Sequence, residues 1–68
     1  NFSKAIYNFT QAINSNPNDM DATYNLGLSY KNSDKLKIAC QCFSNGMEKG
    51  DTSSVKAFKQ FCTVGNSK

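Results

Sequence analysis

The side chains best suited to nucleophilic, redox or metal chemistry are Cys40, Cys42 and Cys62. Cys40 and Cys42 lie two residues apart on a predicted helix, so they point ~200° apart around its axis and cannot chelate one metal ion. The sequence has no His, and no third thiol lies nearby to complete a zinc site. We therefore expect no metal ion and no cofactor, and interpret the cysteines as small, partly buried apolar side chains.

Nothing in the sequence has the pattern of an active site. The cysteines have no His to act as a base, and no pair of carboxylates lies beside a nucleophile. Asp19 and Asp21 stand at a predicted helix start, where carboxylates cap the helix and interact well with its dipole. The glycines are isolated from one another, so they form no phosphate-binding loop. We expect no catalytic residue and no enzymatic activity.

Charge, cysteine content and hydropathy predict the type of surface and the cellular compartment of the chain. All eight basic residues are Lys, they are scattered, and the formal net charge is +3, which favours a solvated surface over a nucleic-acid-binding patch. An odd number of cysteines without disulfide-scaffold spacing predicts a reducing intracellular compartment, the cytoplasm before others. No apolar run approaches the ~20 residues that a membrane span needs, so we expect no membrane contact.

Apolar periodicity predicts helices throughout, and no segment alternates as a strand would. The predicted helices cover residues 2–14, 20–32, 35–49 and 54–64. Asp19 is the expected N-cap of the second helix, Ser33 or Asp34 that of the third, and residues 51–53 supply that of the fourth. Gly50 suits a left-handed helix end, and Gly27 within its helix indicates close approach of a neighbouring helix. The turn that closes the last helix is placed at Gly65-Asn66-Ser67.

Small and apolar residues recur at a fixed interval along the chain. Ala5 lies 34 residues before Ala39, and Phe9 lies 34 residues before Phe43. Positions that match in this way are those that packing would preserve while exposed positions drift. The interval therefore predicts a repeated helical unit.

The most informative stretch is Tyr24-Asn25-Leu26-Gly27-Leu28-Ser29-Tyr30, followed by Ala39, Phe43 and Gly46. It resembles the tetratricopeptide repeat, in which a Leu-Gly pair and a tyrosine lie on helix A and an alanine and an aromatic residue lie on helix B. A preceding helix B is matched by Ala5, Phe9, Ala12 and Pro17. The resemblance implies an all-α fold, an α/α superhelix of antiparallel hairpins with four helices in B–A–B–A order.

The same resemblance divides the chain into three parts. Residues 1–19 correspond to helix B of a preceding repeat, residues 20–53 to one complete repeat, and residues 54–68 to helix A of a following repeat or to a capping helix. The capping alternative arises because Phe61 stands where the complete repeat has Gly27. We expect the chain to be a stretch of a longer array or a subunit of a larger assembly.

By resemblance, the function is that of a protein–protein interaction scaffold or adaptor, whose A helices line a concave groove for a partner peptide or helix. The implied groove residues are Asp21, Tyr24, Asn25, Leu28, Lys31, Asn32, Val55, Phe58 and Lys59, with Cys62 continuing the surface. Tyr24, Leu28 and Phe58 would either receive apolar partner side chains or contact neighbouring helices. Asn25 could bind a partner backbone amide, and Lys59 could pair with a carboxylate.

The sequence also bears some resemblance to two other helical-repeat functions. Thr23-Tyr24-Asn25 and Met47-Glu48-Lys49-Gly50 resemble the RNA-binding pentatricopeptide family. The interval of 34 rather than 35 residues disfavours that reading, as do Leu26 and Gly27 where that family places a small polar base-reading residue. Asn25 and Lys59 also match two positions of a carboxylate clamp for chaperone C-termini, but Tyr24 and Leu28 do not suit it. A protein partner is therefore preferred to a nucleic acid.

Overall fold

A computed structural model describes residues 1–62, and within them it contains α-helices and no strand. The helices are α1 (Phe2–Ser15), α2 (Met20–Asn32), α3 (Leu36–Glu48) and α4 (Thr52–Phe61). The predicted all-α class is confirmed, and α1 to α3 agree with the predicted helices to within a residue at each end. The predicted end of the last helix at Val64 and the turn Gly65-Asn66-Ser67 lie outside the described residues.

Three of the helices begin at a side chain that accepts backbone hydrogen bonds. Asn1 Oδ1 accepts from the amide of Ser3 at 2.9 Å. Asp19 Oδ1 accepts from Ala22 at 3.0 Å, and Asp51 Oδ1 accepts from Ser53 at 3.3 Å. Each contact satisfies an amide that the first helical turn leaves without a partner. The predicted cap at Asp19 is confirmed, as is the cap within residues 51–53.

The start of α3 differs from the prediction. Lys35 is its N-cap and makes no side-chain capping bond. Ser33 Oγ instead donates back to the carbonyl of Ser29 at 2.8 Å, and Asp34 takes a left-handed conformation with φ 64°. The amide of Lys35 donates to the carbonyl of Tyr30 at 2.9 Å, which closes a Schellman motif. Both predicted caps fail because Ser33 and Asp34 are used to end α2.

The C-terminus of α3 also ends in a Schellman motif, and its left-handed residue is Gly50, as the sequence predicted. Gly50 has φ 87°, and the amide of Asp51 donates to the carbonyl of Gly46 at 3.0 Å. Asp34 and Gly50 therefore have the same role at two successive helix ends.

Close approach between neighbouring helices depends on two small residues. A Cβ added at Gly27 of α2 would lie 2.5 Å from Cε1 of Phe43 on α3, so the ring occupies the space of the missing side chain. A Cβ at Gly46 would lie 2.6 Å from Cβ of Ser54 on α4. Phe43 and Ser54 are both 0% exposed. The close approach predicted from Gly27 is confirmed.

Contacts between helices follow the order of the chain: α1 packs on α2, α2 on α3, and α3 on α4. Gly27 and Phe43 are each eight residues from Lys35, and they touch, so α2 and α3 are antiparallel. α3 lies between two neighbours, and its Ala39 and Phe43 are the centre of the core with Ala57. This sequential packing is the repeat-like feature of the fold.

Within residues 1–62, α1 packs chiefly against one helix, α2, and none of its residues is buried. Its Ala5 and Phe9, which match the fully buried Ala39 and Phe43 in the 34-residue pattern, are only half-buried. Phe2 is 47% exposed and Tyr7 64% exposed. The difference in burial between α1 and α3 follows from the number of helices that cover each one.

Candidate partner-binding surface

Six of the predicted groove residues lie on α2, and their exposure varies along it. Asp21 and Asn32, near its two ends, are exposed, and the residues between them that were predicted to line the groove are half-buried. Those half-buried residues are Tyr24, Asn25, Leu28 and Lys31. Asn25, Leu28 and Lys31 are three residues apart, and Tyr24 lies four residues before Leu28, which places them along one side of the helix.

The apolar members of the set are in contact with the core. Tyr24, Leu28 and Phe58 are half-buried and pack against the cluster of Ala39, Phe43 and Ala57. The rings of Tyr24 and Phe43 have centroids 6.0 Å apart. Contact with neighbouring helices, one of the two alternatives for these residues, is therefore present. Each keeps some surface in solvent, and its role in a groove stays a prediction.

Asn25 is a half-buried polar residue whose side-chain bonding capacity is unused within the described part of the chain. Its side-chain amide makes no hydrogen bond to any residue from 1 to 62. It is not sealed from solvent, since no fully buried side-chain N or O atom in the described part lacks a partner. The amide can therefore offer both a donor and an acceptor to an incoming backbone.

Lys31 joins α2 to the end of α4. Its Nζ lies 4.5 Å from the centroid of the Phe61 ring, within the range of a cation–π interaction. The same Nζ donates to Asn32 Oδ1 at 3.4 Å. The sequence analysis included Lys31 among the groove residues but not Phe61. The contact between these two residues depends on the orientation of α4 relative to α2, which the sequence does not show.

The α4 members of the predicted set differ in exposure. Val55 and Phe58 are half-buried, and Lys59 is exposed near the C-terminal end of the helix. Val55 is one helical turn before Phe58 and Lys59, so the three can border one surface.

The cysteines differ from the prediction. Cys40 and Cys62 form a disulfide, with their Cα atoms 5.8 Å apart, so the interpretation of both as unpaired side chains is wrong. The sequence did contain a signal: both are eleven residues from Asp51, and residues equidistant from the turn of an antiparallel hairpin lie side by side. Cys62 therefore cannot contribute a thiol to the groove. A disulfide also fits poorly with a reducing compartment, which stays a prediction.

Cys42 behaves as the sequence predicted. It is a free thiol, 8% exposed, on the buried side of α3. Burial raises the pKa of the Cys42 thiol, because the low-dielectric surroundings disfavour the thiolate. No group of three His, Cys, Asp or Glu side chains in residues 1–62 is placed to hold a metal ion.

Beside the disulfide lies an open pocket of about 300 Å³. It is lined by Leu36, Lys37, Cys40, Phe61 and Cys62. Among the residues predicted to form the groove surface, Cys62 alone lines this pocket. Sequence reasoning missed this pocket because it forms between the first turn of α3 and the last turn of α4, which are far apart in the chain.

Comparison of the chain with protein-family models, with curated proteins and with solved structures finds no match. Membership of the tetratricopeptide family accordingly stays a prediction from the residues. Within residues 1–62, no helix has both the length and the apolar character needed to cross a membrane.

Proposed function

We propose that this chain is a protein–protein interaction scaffold, a stretch of a helical-repeat array or a subunit of a larger assembly without catalytic activity. The observation that carries the proposal is sequential packing, in which each helix contacts chiefly its neighbours along the chain. Such stacks present extended surfaces instead of enclosed active sites. The tetratricopeptide-like superhelix belongs to the same proposal.

The incomplete burial of α1 supports the array. Ala39 and Phe43 are 0% exposed with α2 and α4 packed on α3, whereas within residues 1–62 α1, with its half-buried Ala5 and Phe9, packs chiefly on α2. An added helix on the free side of α1 would complete its burial as α2 completes that of α3.

The proposed partner is a peptide or amphipathic helix that binds along α2 and continues onto α4. The free amide of Asn25 supports this site, because a partner backbone can both donate to it and accept from it. Exposed parts of Tyr24, Leu28 and Phe58 would contact apolar partner side chains on either side of that amide.

A peptide-display selection on the oxidised chain tests the site. Recovered peptides are assayed by fluorescence anisotropy against Asn25→Ala and, as matched control, Asn45→Ala, an exposed asparagine of α3. We expect Asn25→Ala to weaken binding by about tenfold, the worth of a well-placed amide hydrogen bond or two. The control should bind as the parent does, and circular dichroism should show unchanged helicity in both. Equal effects of the two variants would contradict the proposed groove.

RNA binding is measured in the same preparation at several salt concentrations. We expect weak, sequence-independent binding that disappears as salt rises, because the lysines are scattered. A base preference that survives at higher salt would overturn the scaffold proposal in favour of a nucleic-acid-binding repeat.

A further inference from the structure

The Cys40–Cys62 disulfide joins α3 to the residue after α4, at the end of this hairpin farthest from its turn. The Cα separation of 5.8 Å lies in the usual range for disulfides, so the bond can close on this backbone arrangement. Both cysteines are only partly buried, and both line the open pocket. A small thiol can therefore reach the sulfur atoms.

Among the described residues, the last turn of α4 contains none that is fully buried. The two buried residues of this helix, Ser54 and Ala57, lie before that turn. Beyond them, Phe58 packs against the core, and the Phe61 ring lies 6.2 Å from that of Phe43 with Lys31 Nζ above it. The residue next to Phe61 is the cross-linked Cys62. The cross-link therefore acts on the backbone directly next to the Phe61 ring.

We propose that the Cys40–Cys62 disulfide is a reversible redox control that holds the last turn of α4 on the core when oxidised and releases it when reduced. α1, α2 and α3 stay folded in both states. This inference goes beyond the scaffold role and does not depend on it.

The chemistry is thiol–disulfide exchange with a dithiol reductant. A thiolate of the dithiol attacks Sγ of Cys62, the S–S bond breaks, and Cys40 leaves as a thiolate that takes up a proton. The second thiol of the reductant then displaces Cys62, so the protein gains two electrons and two protons while the dithiol becomes a disulfide. Lys37 lines the pocket one helical turn from Cys40, where its positive charge stabilises the leaving thiolate.

Cys42 does not interfere with this exchange. Its thiol is buried and points ~200° away from Cys40 around α3. Burial also keeps it protonated, and a protonated thiol does not attack a disulfide. The cross-link therefore opens and closes between the same two sulfur atoms.

Amide hydrogen exchange of the chain, oxidised and after reduction with dithiothreitol, tests the proposal. We expect residues 59–62 to exchange at least about tenfold faster after reduction, as for a segment that opens locally, with α1 to α3 unchanged. Reoxidation should restore the original rates. Unchanged exchange in α4 would overturn the proposal, and so would faster exchange throughout, which would make the bond a general structural staple.

Two variants separate the cross-link from other effects of the reductant. Cys40→Ser with Cys62→Ser should show the fast exchange of residues 59–62 with or without dithiothreitol. Cys42→Ala should respond to dithiothreitol as the parent chain does. A parent-like, protected α4 in the double serine variant would contradict the proposal.

If the double serine variant does not fold, equilibration of the parent chain in glutathione buffers still decides the question. Alkylation and mass spectrometry then count the thiols at each ratio of reduced to oxidised glutathione. We expect one reversible two-thiol transition within the range of ratios, and a bond that stays closed throughout would overturn the proposal. Lys37→Gln should slow reduction by dithiothreitol severalfold, and an unchanged rate would remove Lys37 from the mechanism.

Discussion

Gly27 shows how one residue sets the distance between two helices. A glycine in mid-helix costs about 1 kcal/mol relative to alanine, so its presence requires a compensating contact. That contact is the ring of Phe43, which lies where a Cβ of residue 27 would be. Phe43 is 0% exposed and cannot move into solvent without opening the core.

Gly27→Ala should therefore destabilise the fold despite the better helix propensity of alanine. We expect the free energy of unfolding to fall by about 1–3 kcal/mol, the usual cost of overpacking a core. Chemical denaturation followed by circular dichroism measures it. Asn45→Ala, at an exposed position of α3, is the control and should be neutral or slightly stabilising. If Gly27→Ala stabilises the chain, the packing of α2 on α3 is looser than described.

The buried thiol of Cys42 predicts a dependence of stability on alkaline pH. Its pKa is raised by burial, so the unfolded state loses the thiol proton at a lower pH than the folded state does. Above the ordinary cysteine pKa the unfolded state thus binds fewer protons, and stability falls as pH rises. Below that pKa the contribution of Cys42 is constant.

Thermal unfolding across this alkaline range compares the parent chain with Cys42→Ala. The parent should lose stability with rising pH more steeply than the variant does, because only the parent carries the buried thiol. Parallel curves would show that the thiol is solvated in the folded state. The measurement is made without reductant, so that the Cys40–Cys62 bond stays closed in both proteins.

The ends of the helices decide how successive elements are joined. α2 and α3 both end in a Schellman motif, with Asp34 and Gly50 as the left-handed residues. α4 then begins at Asp51, whose carboxylate caps the helix through Ser53 and accepts from the buried hydroxyl of Ser54 at 2.6 Å. One side chain thus fixes both the start of α4 and its closest contact with α3.

Asp51→Ala removes both functions of this carboxylate. We expect a loss of about 1–3 kcal/mol in the free energy of unfolding, from the missing cap together with the unsatisfied buried hydroxyl. Asp51→Asn is the matched control, because asparagine is an equally good cap and should retain most of the stability. Denaturant titration compares the two, and equal losses would mean that the charge, not the cap, is what stabilises α4.

Helix positions could be predicted from sequence because spacing of three and four residues places apolar side chains such as Ala39 and Phe43 on one helix face. The N-cap of α3 could not be predicted, because Ser33 and Asp34 suit both a helix start and a helix end. Which of the two they form depends on the tertiary structure. The disulfide was missed because its pairing depends on the register of two antiparallel helices. Of the proposed groove, the residues of α2 could be placed on one side of a helix, but their use by a partner stays a prediction.

At the scale of the molecule, residues 1–62 form helices stacked in chain order, so burial depends on position in the stack. α3 has two neighbours and contains the fully buried Ala39 and Phe43. α1 has one neighbour and leaves Phe2 and Tyr7 largely exposed. In a one-dimensional stack, each added neighbour contributes its own interface to the stability of the whole.

A second copy of residues 20–34 placed directly before Asn1 should therefore complete the packing of α1. The register follows from the 34-residue interval, which makes Asn1 equivalent to Lys35. We expect the midpoint of thermal unfolding to rise by several degrees, about 4–8 °C for each added 1 kcal/mol in a chain of this size.

The control carries the same added segment with its copied Leu26 changed to Lys, which places a charge at the new interface. It should gain little or no stability over the parent chain, because an unpaired charge is costly to bury. Equal gains by both extended chains would show that the added helix does not pack on α1, and that the stack does not continue on that side.

The cross-link between Cys40 and Cys62 also limits how far the chain can be stretched. A pulling force applied to the two ends passes through the disulfide and bypasses the residues between these cysteines, including all of α4. That enclosed segment, with a sequence separation of 22 residues, would add about 75 Å of contour length if it were released, at ~3.4 Å per residue. The oxidised molecule is thus a shorter tether than the reduced one under tension.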